Sequence, residues 1–245
     1  MTKRKIPVVC DDNSCSTGAA PAARTEGKAR ESGKTLEIEV FSDYVCPWCP
    51  IGEKRLEKAL ELLGPDVPAK VTFRPFELNP DMPKEGLDRK KYLAAKFGSL
   101  AAYERLSANV SAAAAGEGIA FALDKIEKSP NTRDAHRLAW LAEKLGKQPP
   151  IVEKLFHAYF TLGENLGDHS VLKRLAAEAG LEAERVDALL ATDEGLAEVV
   201  EQERRAHRLG IDGVPCFVVG GVPVISGAQS PGVIAEVLRD FVETR

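Results

Sequence analysis

Two cysteines three residues apart, Cys46 and Cys49, stand in the segment S-D-Y-V-C-P-W-C-P that spans residues 42–50. Side chains three apart on a helix lie on one face, close enough for a disulfide to join them. Such a pair can open and close with little movement of the backbone. Because the whole chain has only five cysteines, two of them at this spacing predict thiol–disulfide chemistry.

The position of this pair between an apolar run and a helical segment predicts different roles for the two sulfurs. Cys46 ends the loop, where unpaired backbone N–H groups and the positive end of the helix dipole favour a thiolate. Cys-x-x-Cys thiols in such positions have pKa values of roughly 3.5–7. Cys49, one turn further in, is expected to be more buried and to stay protonated. We therefore expect Cys46 to attack a substrate disulfide, or to leave from one, and Cys49 to resolve the mixed disulfide.

A second pair, Cys10 and Cys15, precedes the first in residues 1–35, where small, polar and charged residues dominate. This composition predicts a mobile arm, whose residues 16–35 would span about 25 Å as a flexible chain and could reach the first pair. Three interpretations stay open: a relay that exchanges with Cys46–Cys49, a stand-alone loop disulfide, or reduced or metal-scavenging thiols. A zinc site built from all four cysteines is a weaker alternative, because the prolines and the strand-to-helix setting fit a redox turn better.

The residues around Cys46 predict a βαβ unit. The segment L-E-I-E-V, which starts at Leu36, alternates apolar and acidic residues as a half-buried strand does. A helix over residues 47–63 and a second strand near 69–78 follow. A strand, a helix and a strand in such a short span predict that the two strands are parallel.

The middle of the chain differs in kind. Residues 86–209 are rich in Ala, Leu, Glu, Lys and Arg, and glycines punctuate the ends of apolar-periodic segments. The pattern predicts about six or seven helices, at 88–97, 99–116, 132–145, 150–162, 169–179, 184–191 and 193–208.

The chain returns to strands near its end. C-F-V-V-G-G-V-P-V-I-S-G predicts a hairpin turning at Gly220-Gly221, and a helix over 231–243 follows. The order predicts an α/β fold in which residues 36–82 and 210–245 form one small domain. Residues 83–209 form an all-helical subdomain inserted into it.

This order, with C-P-W-C opening the first helix and G-V-P before the hairpin, resembles the thioredoxin fold of the DsbA family. Five motifs are similar to the FrnE-like branch of that family: S-D-Y-V-C-P-W-C-P-I-G, F-R-P-F-E-L-N-P, N-T-R-D-A-H-R-L, G-V-P-x-F and S-G-A-Q. The resemblance covers residues 36–245 and leaves out the arm. It implies a thiol–disulfide oxidoreductase or isomerase of polypeptide substrates that needs no metal or organic cofactor.

The resemblance also implies roles for residues around the cysteines. Pro215, after Val214, would be a cis-proline whose loop holds the backbone of a substrate beside Cys46. Pro47 and Trp48 would contribute to an apolar surface that contacts unfolded chains. Strong oxidants of the family carry Pro-His between the cysteines, so Pro-Trp implies a milder oxidant with a thiol pKa toward the upper part of the motif's range.

Two other functions compete with this prediction. Kappa-class glutathione transferases and 2-hydroxychromene-2-carboxylate isomerases share the architecture, but they generally have a serine where Cys46 stands. The intact Cys-x-x-Cys pair argues against that glutathione-dependent chemistry. A holdase chaperone that uses the helical block would need neither cysteine.

Three further residues carry predictions. Cys216 follows Pro215 directly and is expected to be a buried strand residue that points away from the site, with a role as a third participant as the alternative. Asp43 is expected to be a surface acid at a strand end, with an influence on proton transfer near Cys49 as the alternative. His136 is expected to be a packing or surface residue.

The composition limits the function classes. The 245-residue chain has a net charge of −4 and a pI of about 5.7, unlike the basic surfaces that bind nucleic acid. No apolar run approaches the ~18 residues of a membrane span, and the start lacks the apolar stretch of a secretory signal. We predict a cytoplasmic protein, monomer or homodimer, with polypeptide substrates, no nucleic-acid or membrane partner, and a small-molecule or protein thiol reductant such as glutathione.

Overall fold

The computed structural model describes residues 35–244. The arm predicted for residues 1–35, and with it Cys10 and Cys15, falls outside the described residues except at Thr35. Along the described chain the elements are β1 (Leu36–Ser42), α1 (Trp48–Leu63), β2 (Ala69–Pro75), β3 (Leu87–Asp88), α2 (Arg89–Phe97), α3 (Leu100–Gly116), β4 (Lys128–Ser129), α4 (Arg133–Lys144), α5 (Gln148–His157), α6 (His169–Glu178), α7 (Ala183–Ala191), α8 (Leu196–Arg208), β5 (Cys216–Val219), β6 (Val222–Ser226) and α9 (Pro231–Glu243).

The main sheet has the strand order β2-β1-β5-β6. β1 and β2 are parallel, as the βαβ pattern predicted, and β5 and β6 are antiparallel to their neighbours. The hairpin between β5 and β6 turns at Gly220 and Gly221, whose φ angles of 59° and 79° lie in the left-handed region that glycine adopts without strain. This sheet with α1 and α9 is a thioredoxin fold, which confirms the predicted fold class.

The block between β2 and β5 contains all seven predicted helices, α2 to α8. A π-helical stretch, Ala158–Leu162, continues α5. The prediction missed a short ribbon in which Leu87 pairs with Ser129 and Asp88 with Lys128, because two-residue strands are too short to show alternation. None of the helices in residues 35–244 is long and apolar enough to cross a membrane.

One apolar core joins the sheet to the helical block. Ile38 and Val40 of β1 belong to the same buried cluster as Leu138 of α4 and Phe156 of α5, and Cys46 and Cys49 belong to it as well. A second cluster lies on the other face of the sheet and contains Phe41, Phe76, Ala206, Ile211, Cys216 and Val218. The redox pair therefore lies where the sheet meets the inserted helices.

Candidate active site

The turn that carries the two cysteines is held by its own backbone. Cys46 N–H donates to the carbonyl oxygen of Asp43 at 3.0 Å, and Cys49 N–H donates to that of Cys46 at 3.1 Å. Pro47 occupies the N-cap position of α1, which begins at Trp48, and makes no capping hydrogen bond. We call residues 43–49 the redox turn. The two thiols are not bonded to each other and are 4% and 2% exposed, whereas Trp48 is 40% exposed.

The loop before β5 lies against the redox turn. The Val214–Pro215 peptide bond is cis, and the Cys46 thiol donates to the Val214 carbonyl oxygen at 3.4 Å. Gly52 of α1 permits this approach, because a Cβ on it would lie 2.7 Å from Cγ of Pro215. The structure thus brings Cys46, Cys49, Pro47, Trp48, Val214 and Pro215 together.

The two sulfurs have different surroundings. Burial, followed by the neighbouring sulfur of Cys46, raises the pKa of Cys49 well above its ordinary value. The Ser42 hydroxyl and the Asp43 N–H lie beside the Cys49 sulfur and act in the opposite direction without outweighing burial. Cys49 therefore holds its proton at neutral pH, as expected of a resolving thiol before it reacts.

Asp43 is buried, so the prediction of a surface acid was wrong. Its carboxylate accepts hydrogen bonds from Leu78 N–H at 2.7 Å and Val45 N–H at 3.5 Å. Nε2 of His136 lies 3.5 Å from the same carboxylate, and its ring packs on Tyr44 with centroids 4.7 Å apart. Asp43 fixes the start of the redox turn to the segment after β2.

The start of α4 extends this arrangement of charges. Arg133 donates from Nε and Nη2 to the buried Glu77 carboxylate at 2.7 and 2.9 Å. Asp134 accepts from Arg137 at 2.6 Å and lies 2.8 Å from Nε2 of His169. The motifs F-R-P-F-E-L-N-P and N-T-R-D-A-H-R-L thus meet through the ion pair between Glu77 and Arg133. We call the following set the α4 network: Asp43, Glu77, Arg133, Asp134, His136 and Arg137.

Cys216 lies apart from the redox turn, as predicted. It belongs to the cluster on the far face of the sheet, with Phe41 and Val218. Burial and the charge of Asp212 raise its pKa to about 11. Cys216 therefore has neither the position nor the reactivity of a third participant.

A cavity of about 420 Å³ opens in front of the redox turn; we call it the Cys46 cavity. Cys46, Pro47 and Trp48 form one side, and α2, α3 and Tyr159 form the others. Most of its lining is apolar or aromatic, and its cations are Arg89 and Lys96. The prediction missed this cavity because its walls come from separate parts of the sequence. Within residues 35–244, no three His, Cys, Asp or Glu side chains are grouped to hold a metal ion.

A known protein family and a curated bacterial protein are similar to this chain. Residues 37–239 match the family model described as a DSBA-like thioredoxin domain. The chain is 28% identical to the uncharacterized protein YwbO of Bacillus subtilis, over 84% of this chain and 97% of YwbO.

Two solved structures share the fold of this chain. A probable DsbA oxidoreductase from Streptomyces coelicolor is 34% identical, with a TM-score of 0.80 over 86% of this chain and 91% of that one. The cytosolic disulfide reductase DsbM from Pseudomonas aeruginosa, solved with glutathione, shares the fold at 20% identity and a TM-score of 0.58, over 85% of this chain and 98% of DsbM.

Proposed function

Because this chain belongs to the DSBA-like thioredoxin family, we propose that it exchanges disulfides with polypeptide substrates through Cys46 and Cys49. One observation carries the proposal: the Cys46 sulfur lies 3.4 Å from the Val214 carbonyl oxygen, beside Pro215. Cys49 stands behind it, buried and protonated. In this arrangement Cys46 can act as the nucleophile that attacks the substrate, and Cys49 stays protonated until the mixed disulfide has formed.

The reaction proceeds by two displacements. The Cys46 thiolate attacks one sulfur of a substrate disulfide, so that a mixed disulfide forms and the other substrate sulfur leaves as a thiolate. Cys49 then gives up its proton and attacks the Cys46 sulfur. The Cys46–Cys49 disulfide forms, and the second substrate thiolate leaves. Two electrons pass from the protein to the substrate; the reverse sequence oxidises a substrate dithiol, and reduction followed by reoxidation of a different pair is isomerisation.

Substrate contacts follow from the exposed groups around the turn. Trp48 is 40% exposed beside a buried thiol, and an exposed aromatic of this kind suits contact with the apolar side chains of an unfolded polypeptide. Pro47 and Val214 are half-buried. Pro47 lines the Cys46 cavity, and the Val214 carbonyl lies beside the Cys46 sulfur. We assign Pro47, Trp48 and Val214 to substrate binding, with the Val214–Pro215 loop beside the substrate backbone.

Insulin reduction and the refolding of scrambled ribonuclease test this function. Cys46→Ser is expected to reduce both to background, and Cys49→Ser to accumulate a mixed disulfide that mass spectrometry identifies. Cys216→Ala, on the far face of the sheet, is the matched control and keeps the activity.

Three results would contradict the proposal. The first is alkylation of Cys46 no faster than an ordinary thiol at neutral pH, together with a Cys46–Cys49 bond that neither forms nor reopens with dithiols. The second is glutathione-dependent activity that survives Cys49→Ser, which would indicate an isomerase or transferase. The third is suppression of aggregation at full strength in the double serine variant without any exchange activity, which would indicate a holdase.

We also propose that Cys10 and Cys15, outside the described residues, form a second redox pair that exchanges with Cys46–Cys49. The support is their spacing and the composition of the residues that follow. Mass spectrometry of proteolytic fragments after mild oxidation should find peptides that link the two pairs. The relay is wrong if no such link forms and Cys10→Ser/Cys15→Ser leaves the kinetics unchanged.

The remaining partners are proposed on the same basis. DsbM is a cytosolic reductase solved with glutathione, which supports a cytoplasmic location and glutathione as a reductant, with no other cofactor. The motif pattern supports a place in the FrnE-like branch, and Trp48 between the cysteines supports a mild oxidant. Redox titration against glutathione and cell fractionation test these assignments.

A further inference from the structure

The Cys46 cavity contains positive charge that no carboxylate among its described lining residues neutralises. Arg89 and Lys96 line it, and none of its described lining residues is Asp or Glu. Lys96 is exposed and donates to the Tyr92 hydroxyl at 2.8 Å. Arg89 is different, because it is only 8% exposed. A buried cation without a carboxylate is unfavourable unless something else compensates it.

The polar contacts of Arg89 are few and neutral. Nη1 donates to the Tyr159 hydroxyl at 2.8 Å and Nη2 to the Tyr103 hydroxyl at 3.0 Å, while Nε has no partner in the described chain. Both hydroxyls act as acceptors here and are neutral. The guanidinium also lies 5.7 Å from the centroid of each of these tyrosine rings, a contact that stabilises a cation without supplying an anion. The Tyr103 O–H has no acceptor in the described residues and can donate to a ligand.

Arg137, the other buried arginine in residues 35–244, is paired with an acid and provides a comparison. Arg137 is 5% exposed. It donates to the Asp134 carboxylate at 2.6 Å and to the carbonyl oxygens of Glu194 at 2.8 Å and Leu189 at 2.7 Å. Every nitrogen of Arg137 has a protein partner, whereas Arg89 lacks an anion.

We propose that the Cys46 cavity binds a small disulfide that carries a carboxylate on an apolar or aromatic body, with Arg89 as the anchor of the carboxylate. The cavity volume of about 420 Å³ is that of a small-molecule pocket. The guanidinium offers the planar, charge-assisted hydrogen bonds that carboxylates accept, and aromatic walls hold the body. This substrate class rests on the proposed function, because Cys46 forms part of the same cavity.

The chemistry of the lining favours such a ligand over a zwitterionic one, because the described lining has no acid that could pair with an ammonium group. In the reaction, the Cys46 thiolate attacks one ligand sulfur and an aryl thiolate leaves. Cys49 loses its proton, displaces the second aryl thiolate from Cys46 and closes the disulfide, so the ligand gains the two electrons that the protein loses.

Two aromatic disulfides test the proposal: dithiobis(nitrobenzoate), with a carboxylate on each ring, and the neutral dithiodipyridine. The full-length chain, reduced and carrying Cys10→Ser/Cys15→Ser, is mixed with each in a stopped-flow instrument, and the released thiolate is followed by absorbance. In Arg89→Met the ratio of the two rates, carboxylate over neutral, is expected to fall about tenfold. Lys96 is the exposed cation of the same cavity, so in Lys96→Gln the ratio of the two rates should fall about twofold or less. An unchanged ratio in Arg89→Met would overturn the proposal.

A second measurement needs no variant. Naphthoate should slow the alkylation of Cys46 by iodoacetamide in the unmodified chain, and naphthamide, its neutral analogue, should not. Equal protection by both compounds would refute the carboxylate site even if Arg89→Met failed to fold. If dithiols cannot open or close Cys46–Cys49 while naphthoate still protects, the proposed function fails and the carboxylate site stands. If exchange with dithiols is normal and carboxylates have no advantage, only this inference fails.

Discussion

The α4 network and the Cys46 cavity both place charged side chains beside the redox turn, but they treat those charges differently. In the network, Arg133 faces Glu77, and Asp134 faces both Arg137 and His169. In the cavity, Arg89 contacts only tyrosine hydroxyls among its described polar neighbours. The network joins chain segments that are far apart in sequence. The cavity instead contains cations that no carboxylate in its described lining neutralises.

This difference separates structural charges from functional ones. A buried ion whose partner is present holds two segments together, and its loss leaves the partner uncompensated. A buried ion without a partner contributes little to the folded state, and natural chains retain such groups mainly where they bind or react. Three of the four predictions below test whether the two regions differ in this way, and the one on Glu53 of α1 tests a buried acid outside both regions.

Arg137→Met is expected to have the largest effect on stability. The substitution removes a buried cation and leaves the Leu189 and Glu194 carbonyls without their donor, so the free energy of unfolding should fall by about 3 kcal/mol. Urea denaturation monitored by circular dichroism measures it. A loss below about 1 kcal/mol would show that the network is not structural.

Arg133→Met should cost about 2 kcal/mol, because Arg133 is partly exposed while the Glu77 carboxylate that it leaves behind is buried. The matched control is the double variant Glu77→Gln/Arg133→Met, which removes the orphaned charge and should recover about half of the loss. If the double variant is no more stable than the single one, the pair does not account for the effect.

Glu53, one turn after Cys49 on α1, gives a pH-dependent test. Burial and the charges of Glu57 and Glu153 raise its pKa from 4.5 to about 8. The folded state therefore binds a proton more tightly than the unfolded state, and this stability is complete below pH 4.5 and is lost as the pH rises to about 8. Since Glu53 is half-buried, Glu53→Gln should raise the free energy of unfolding by about 1–2 kcal/mol at pH 9 and by little at pH 5. Denaturation across this range measures it; Glu61→Gln, an exposed acid on the same helix, is the control and should keep the wild-type slope.

Arg89→Met should change the free energy of unfolding least, by about 1 kcal/mol or less, and the expected change is a gain. The substitution removes an unneutralised cation and keeps a long apolar side chain in its place. Urea denaturation alongside Arg137→Met provides the direct comparison. A loss as large as that of Arg137→Met would remove the distinction between the two regions.

The sequence predicted those features that depend on the spacing of residues close together in the chain. The positions of Cys46 and Cys49, the seven inserted helices and the hairpin at Gly220-Gly221 each follow from periodicity, turn residues or a short motif. The roles of Asp43 and His136 could not be predicted in this way, because their neighbours come from segments that only the fold brings together.

The two buried arginines illustrate the same limit. Arg89 and Arg137 each stand in a predicted helix, and nothing local distinguishes the one with a carboxylate partner from the one without. Gly52 gave a visible signal, because glycine is unfavourable inside a helix. Its reason, contact with Pro215, lies far along the chain.

The hydrogen bond from Cys46 to Val214 joins residues 168 positions apart. During synthesis, both thiols of the redox turn therefore leave the ribosome well before the loop that completes their site. The entire helical block must follow before Val214 and Pro215 can take their places. A truncated chain that ends within that block would present the Cys46–Cys49 pair without its neighbouring loop, as a dithiol that lacks the surface by which it selects what it reacts with.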